Sequence, residues 1–345
     1  MPPTLPTEQK IRLQLRVFHK LLPEAQFRML PDTTLPRVQD LAKKWHIRLA
    51  MPVCLRYHRR AKRDRGQFLM RILITNDDGI HAPGVALLAK IAAQWGEVFV
   101  VAPDTERSGV SHAITLYRPL RLRVVPPPYL HPDRQPQLWW ACDGTPTDCV
   151  YLALNQMELK PDLVLSGINP GPNLGHDVLY SGTVAGALEG AHWGIPSIAL
   201  SHCSSDETKM PELEPHIQAV LPQLMANVRL TGGTLNVNFP RVDQAPYRGM
   251  VVAALGHRYY SNEVVARNDP RGRLYFWIGG QEVEMPDLPG SDCNGVQDGY
   301  VTVTPLGDDL TRHNHLSELS HQLGLPPRQF TQRQPGRGRN LPENA

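Results

Sequence analysis

Cysteine is scarce and poorly placed for structural use. Cys54, Cys142, Cys149, Cys203 and Cys293 are odd in number and contain no C-x-x-C pair, which argues against a disulfide framework and against a zinc site. They read as ordinary buried thiols. No apolar run approaches the roughly 18 residues that span a bilayer, and no apolar stretch ending in a small-residue cleavage site follows the N-terminus. The expectation is a cytoplasmic globular protein with no membrane partner. Neither G-x-x-x-x-G-K-[ST] nor G-x-G-x-x-G occurs, so ATP hydrolysis by a P-loop and ordinary dinucleotide binding lose ground. Serine is missing from residues 1–69, which speaks against an organellar transit peptide.

What is present begins with charge asymmetry. Residues 1–69 hold 15 Lys and Arg against 5 Asp and Glu, a net +10, whereas residues 70–345 hold 21 against 28, a net −7. A basic arm precedes an acidic body. The cluster Arg59-Arg60-Ala61-Lys62-Arg63-Asp64-Arg65 lacks the interleaved aromatics that stack bases, so it reads as a solvated tail, with no nucleic-acid partner. The arm's helical pieces are separated by Pro23, Pro31 and Pro36. Met70 then opens a strand-like run at once, so either Met70 is the physiological initiator or residues 1–69 are a loosely attached extension.

From residue 70 to 245 short strand-like runs alternate with helical stretches, the pattern of a doubly wound, mostly parallel α/β sheet with a Rossmann-like core. Residues 71–76 have the apolar, β-branched centre of a strand buried on both faces. Further strands are expected at 98–101, 163–165, 198–200 and 234–239, and helices at 83–95, 181–192 and 211–229. The 181–192 helix is dense in small residues, which permits close approach to a sheet. After residue 245 the rhythm fails. Gly/Pro-punctuated pieces at 250–254, 274–278 and 300–304 predict a β-rich oligomerisation arm over 246–325. Residues 326–345, rich in Pro, Arg, Gln and Gly, predict a disordered tail.

In open parallel sheets ligands bind beyond the carboxyl ends of the strands, where strand order reverses. Asp77 and Asp78 follow the first strand, Ser108 lies beyond the second, and Asn169 follows the 163–165 strand; parallel strands bring all of them to one edge. Two carboxylates about 4 Å apart repel by roughly 4 kcal/mol at an effective dielectric near 20, so a site that keeps both ionised holds a cation between them. Carboxylate, hydroxyl and amide oxygens suit one Mg²⁺ or Mn²⁺ per subunit. A lone Asp-Asp-Gly is also a common turn, and only its coincidence with the other segments favours a metal. Ser181-Gly182-Thr183 at a helix start offers backbone N–H groups and a hydroxyl to a phosphate, or else is a plain Ser N-cap. Gly109 allows close backbone approach, although turn geometry alone accounts for it. His81, His112 and His176 lie near these segments, and none is assigned as a base. Gly144 to Cys149 marks a turn into a helix, explained most simply by capping.

The ordered segments MRILITNDDGIHAPG (70–84), VAPDTERSG (101–109), GTPTDCVY (144–151), SGINPGPNLGHDVLYSGTVAGALEG (166–190), NDPRG (268–272) and DGYVTVTPLGDDL (298–310) closely resemble the SurE family of stationary-phase survival proteins over roughly residues 70–315. The resemblance implies a metal-dependent 5′-nucleotidase acting on nucleoside monophosphates, with 3′-nucleotides and short polyphosphate as further substrates. It implies metal ligands at Asp77, Asp78, Ser108 and Asn169, and phosphate-side positions at Asn173 and Ser181-Gly182-Thr183, with Ser108 and Gly109 lining the substrate. It also implies a homodimer or homotetramer that exchanges C-terminal elements, and leaves the basic extension unexplained. Asp77 and Asp78 are the expected catalytic pair, one of them accepting the proton of a water. A covalent aspartyl-phosphate route is disfavoured, since no Asp-x-Asp-x-Thr follows the first strand. The alternative from another class is a non-catalytic nucleotide-sensing module.

Overall fold

A computed structural model describes residues 70–128, 138–157, 159–231, 233–241, 247–261, 263–279 and 282–325. The expectations for residues 1–69 and 326–345 lie outside the described residues.

The chain opens with β1 (Met70–Thr75), α1 (Pro83–Ala92) and β2 (Gly96–Pro103), then β3 (Leu122–Val125), β4 (Leu138–Cys142) and α2 (Pro146–Asn155). Next come β5 (Leu163–Pro170), α3 (Gly182–His192), β6 (Ser197–His202), α4 (Glu214–Asn227) and β7 (Thr234–Phe239). The remainder is β8 (Met250–Val252), β9 (Tyr259–Tyr260), β10 (Glu263–Asn268), β11 (Leu274–Gly279), β12 (Glu282–Glu284), α5 (Asp292–Gln297), β13 (Val301–Leu306) and α6 (Leu316–Gln322).

Nine strands form the main sheet in the order β3-β4-β2-β1-β5-β6-β7-β13-β8. The six from β4 to β7 are mutually parallel, so the fold is a doubly wound, mostly parallel α/β sheet. From β1 the chain moves outward to β2 and then β4, and returns to place β5 on the other side of β1. That reversal opens a crevice beyond the carboxyl ends of β1 and β5. The register pairs Thr75 with Ser166, so the residues just after Thr75 and those closing β5 share one edge.

Local sequence explains the elements that frame this edge. β1 and β5 are apolar at successive positions because helices cover both faces; Ile72, Leu73, Ile74, Leu163, Val164 and Leu165 are buried. α1 starts on Pro83, where a missing N–H costs nothing, and shares a core cluster with Ile217, Leu221 and Leu224 of α4. α3 starts on Ser181, whose hydroxyl oxygen accepts the Val184 N–H at 3.0 Å. A Cβ on Gly186 would sit 2.7 Å from the Thr75 Cγ2 and 2.9 Å from the Ser166 Oγ. The small residues of α3 thus let it lie close against β1 and β5.

Three expectations need correction. The sheet does not end near residue 245: β13 inserts antiparallel to β7, and β8 pairs alongside it. The 246–325 segment therefore supplies sheet strands as well as the β9–β12 and β10–β11 pairs outside the sheet. The helix expected over 211–229 is a 3-10 turn (Glu207–Leu213) followed by α4, with Pro211 in the turn and Pro215 in the first turn of the helix. The strands β3 and β4 were not foreseen; they close one edge of the sheet as an antiparallel pair.

Candidate active site

The turn after β1 is built by its own side chains. The Asn76 amide donates to the Gly79 carbonyl at 3.0 Å, the Ile80 N–H donates to the Pro103 carbonyl at 2.8 Å, and the Arg107 N–H donates to the Asp77 carbonyl at 2.6 Å. The loops after β1 and β2 are thereby joined, with Asp77 and Asp78 on one and Ser108 on the other.

A cleft of about 510 Å³ opens there, within the range of small-ligand sites. Asp77, Asp78, Ser108, Gly109, Asn169, Asn173 and Ser181 all line it. Gly182 and Thr183 stand behind Asp77: the Thr183 hydroxyl donates to its Oδ1, and the backbone N–H groups of both residues contribute hydrogen bonds to its carboxylate. The start of α3 thus holds Asp77, where the sequence suggested N–H groups turned to a phosphate. The approach is close enough to require glycine, since a Cβ on Gly182 would lie 2.8 Å from the Asp77 Cβ.

The electrostatics of the cleft are one-sided. Its lining holds Asp77, Asp78, Glu106, Asp177 and Glu207, and no Lys, Arg or His. Burial raises the Asp77 pKa, opposed chiefly by the hydrogen bond from Thr183. Asp78 is pushed up to about 8, first by burial and then by repulsion from Asp77, Glu207 and Glu106. Its Oδ2 is buried and accepts no hydrogen bond among the described residues. A buried carboxylate oxygen without a partner is costly, and a bound cation would offset that cost.

The surrounding oxygens fit such an ion. The Asn169 amide nitrogen donates to the Gly171 carbonyl at 2.8 Å, which fixes the amide and commits its nitrogen, so that its oxygen is the atom it could offer a cation. The Ser108 hydroxyl donates to Glu106 Oε1 at 2.8 Å, so its oxygen keeps lone pairs to offer. No three His, Cys, Asp or Glu side chains gather as a metal-holding group among the described residues. A cation here would complete its shell with hydroxyl and amide oxygens, which selects a hard ion such as Mg²⁺ or Mn²⁺ and disfavours zinc.

Asn173 is locked in place. Its N–H donates to Asn238 Oδ1 at 2.8 Å, its amide donates to the Ser201 hydroxyl at 2.7 Å, and its carbonyl accepts from the amides of Asn236 and Asn238. Sequence reasoning missed these supports, although the Asn-Val-Asn alternation inside the buried β7 was a signal. It also missed Glu106, Asp177, Tyr180, Glu207 and Tyr260 as lining residues; Glu106, Asp177 and Tyr180 lie inside the motif segments, but nothing local singles them out, and Glu207 and Tyr260 lie outside those segments.

None of the three nearby histidines lines the cleft. His112 Nε2 lies 2.9 Å from Glu189 Oε2, His176 packs against His257, and His81 is exposed. Gly144 to Cys149 is a capping box: Thr145 and Asp148 exchange side-chain and backbone hydrogen bonds, and Asp148 also accepts from Thr115. Among the described cysteines, all four are free thiols.

Comparison with known proteins agrees with this geometry. The family described as Survival protein SurE matches residues 72–262. A 5′-nucleotidase SurE of Anaeromyxobacter dehalogenans is 48% identical over 254 residues, 72% of this chain and 94% of the relative. One of Heliobacterium modesticaldum is 43% identical over 258 residues, 74% of this chain and 92% of the relative. The crystal structure of the SurE protein from Aquifex aeolicus superposes with a TM-score of 0.59 at 37% identity, covering 73% of this chain and 99% of that one. With the switch-point cleft, the ordered motifs and these relatives all in agreement, the chain belongs to the SurE family.

Proposed function

We propose that this chain is a metal-dependent 5′-nucleotidase that hydrolyses nucleoside 5′-monophosphates to nucleoside and phosphate in the Asp77–Asp78 cleft. The observation that carries this reading is the buried, unpartnered Asp78 Oδ2 in a cleft walled by carboxylates without a basic side chain. Relatives named 5′-nucleotidase support the reaction class. The resemblance adds 3′-nucleotides and short polyphosphate as secondary substrates.

Asp77, Asp78, Ser108 and Asn169 would hold one divalent ion. When bound, that ion supplies phosphoryl polarisation and a lowered pKa for a coordinated water. The protein's share is positioning and proton handling. Thr183 and the α3 N-terminus fix Asp77, and Asn173, braced by Ser201, Asn236 and Asn238, presents a rigid polar group on the phosphate side. Ser181 and Gly109 border the same space. Attack of water oxygen on phosphorus breaks the ester P–O bond. One carboxylate of the aspartate pair takes the water proton and delivers it to the departing 5′-oxygen, which leaves as the nucleoside hydroxyl.

The same reading makes the protein a homodimer or homotetramer. The β10–β11 hairpin is exposed at every position and carries Val264, Leu274, Phe276, Trp277 and Ile278, and exposed apolar surface of this kind marks protein–protein contact sites. A panel of nucleoside monophosphates incubated with Mn²⁺ and then with EDTA tests the activity. Phosphate release that EDTA abolishes is expected; tight nucleotide binding without release would instead make the chain a sensing module.

A further inference from the structure

The cleft lining combines two chemistries. Asp77, Asp78 and Asn169 are the residues to which the phosphate chemistry is assigned. The same lining includes two tyrosines with no part in that chemistry, Tyr180 and Tyr260, and both rings are open to solvent, at 67% and 42% of their full exposure. We propose that Tyr180 and Tyr260 form the nucleobase end of the cleft, stacking on the base of the nucleotide. This role rests on the 5′-nucleotidase reading above and extends it to substrate selection.

Both residues are held in place before any ligand arrives. The Tyr260 hydroxyl donates to Asp177 Oδ2 at 2.6 Å, and the Arg258 guanidinium lies 5.2 Å from the centre of its ring. Arg258 also pairs with the Asp177 carboxylate, which neutralises that acid and separates it from the metal-seeking pair. The backbone of Tyr180 is pinned on both sides: its N–H donates to the Asp177 carbonyl at 3.0 Å, and its carbonyl accepts the Ser111 N–H at 3.0 Å. A ring held in this way, as that of Tyr260 is, loses little conformational freedom on binding a flat ligand.

The two tyrosines come from different parts of the chain: Tyr180 directly precedes the start of α3, whereas Tyr260 is on β9, paired with Glu282 of β12 outside the central sheet. Stacking on a tyrosine face does not depend on the hydrogen-bonding edge of a base. Purine and pyrimidine nucleotides are therefore both accepted, and a phosphomonoester lacking a base is accepted less well.

The test compares kcat/KM for AMP and UMP with that for ribose 5-phosphate, in Mn²⁺, for wild type, Tyr260→Phe and the double variant Tyr180→Ala/Tyr260→Ala. Base stacking measured by alanine substitution corresponds to roughly 5- to 150-fold per base, so the nucleotide-to-sugar-phosphate ratio of the double variant should fall about tenfold or more, mainly through KM. Tyr260→Phe keeps the ring but loses its Asp177 tether, so its ratio should fall much less than that of the double variant. Equal proportional losses on nucleotide and sugar phosphate, or an unchanged ratio, would overturn the base-side role while leaving the nucleotidase reading intact. Calorimetric binding of adenosine provides the independent arm. If wild type releases no phosphate from any nucleotide yet binds adenosine in a tyrosine-dependent way, the nucleotidase reading fails and the base site stands; if adenosine binds equally to wild type and double variant, or to neither, the base site fails.

Discussion

β2 and β11 are both largely apolar, yet every residue of β2 is buried or nearly so and every residue of β11 is exposed. The sequence Glu-Val-Phe-Val-Val-Ala-Pro is sandwiched between strands and helices of its own chain; Leu-Tyr-Phe-Trp-Ile-Gly pairs only with β10. Apolar character states that a strand requires cover, and only the order of elements states who supplies it. In the central sheet the alternating helices do so. Beyond residue 245 few helices remain, and an isolated hairpin is marginal in water; in the proposed assembly a second chain would cover it.

A parallel contrast governs the site. The cleft leaves the buried Asp78 Oδ2 without a hydrogen-bond partner among the described residues, whereas surface acids such as Asp269 are satisfied locally, here by Arg273 at 2.8 Å. Local pairing accounts for the second arrangement, and the proposed cation would account for the first. The contrast sharpens most under Asp78→Asn. Supporting residues one shell out from a metal typically cost 10- to 100-fold when lost, so removal of a direct ligand should lower kcat/KM by at least about a hundredfold. Near-normal turnover in a phosphate-release assay would reduce the pair to a turn.

Core and hairpin should then separate by the kind of damage they report. Leu73→Ala, at a fully buried position, should cost about 2–5 kcal/mol in a denaturant melt. Ile278→Ser, at a position 93% exposed, should leave protomer folding within about 0.5 kcal/mol but shift light-scattering mass to a smaller assembly. If Ile278→Ser instead matches Leu73→Ala in stability with no change of mass, the hairpin is covered by its own chain.

The smallest effect is expected at the other end of the chain. A protein beginning at Met70 should remain soluble and keep its turnover, since β1 starts there and no site residue precedes it. Insolubility or loss of most activity would assign residues 1–69 a role in the fold.

Much of the central fold was legible because its signals are local. The run at 234–239 coincides with β7, Ser181 caps α3, and Asp77, Asp78 and Asn169 reach one edge because parallel strands of similar length must end together. What was not legible depends on neighbours distant in sequence. Glu106 and Glu207 bear on Asp78 across loops from two different strands. β13 enters the sheet beside β7 through pairing that no periodicity encodes. The binding of Asp77 by the start of α3 was hidden for a related reason, since an N-cap motif shows that N–H groups are available and not which acceptor takes them.

The central claim is that Asp78 stands ready for a cation. Thermal melts of wild type and Asp78→Asn, each with and without Mn²⁺, test it most directly. A ligand at about a hundred times its Kd stabilises the folded state by roughly 2.7 kcal/mol, so wild type should gain several degrees on average in the way proteins of this size respond. Asp78→Asn should melt at or above metal-free wild type, because it removes a charge that burial and neighbouring acids oppose, and it should gain little from Mn²⁺. An equal Mn²⁺ shift in both proteins, or no shift in wild type, would contradict the account.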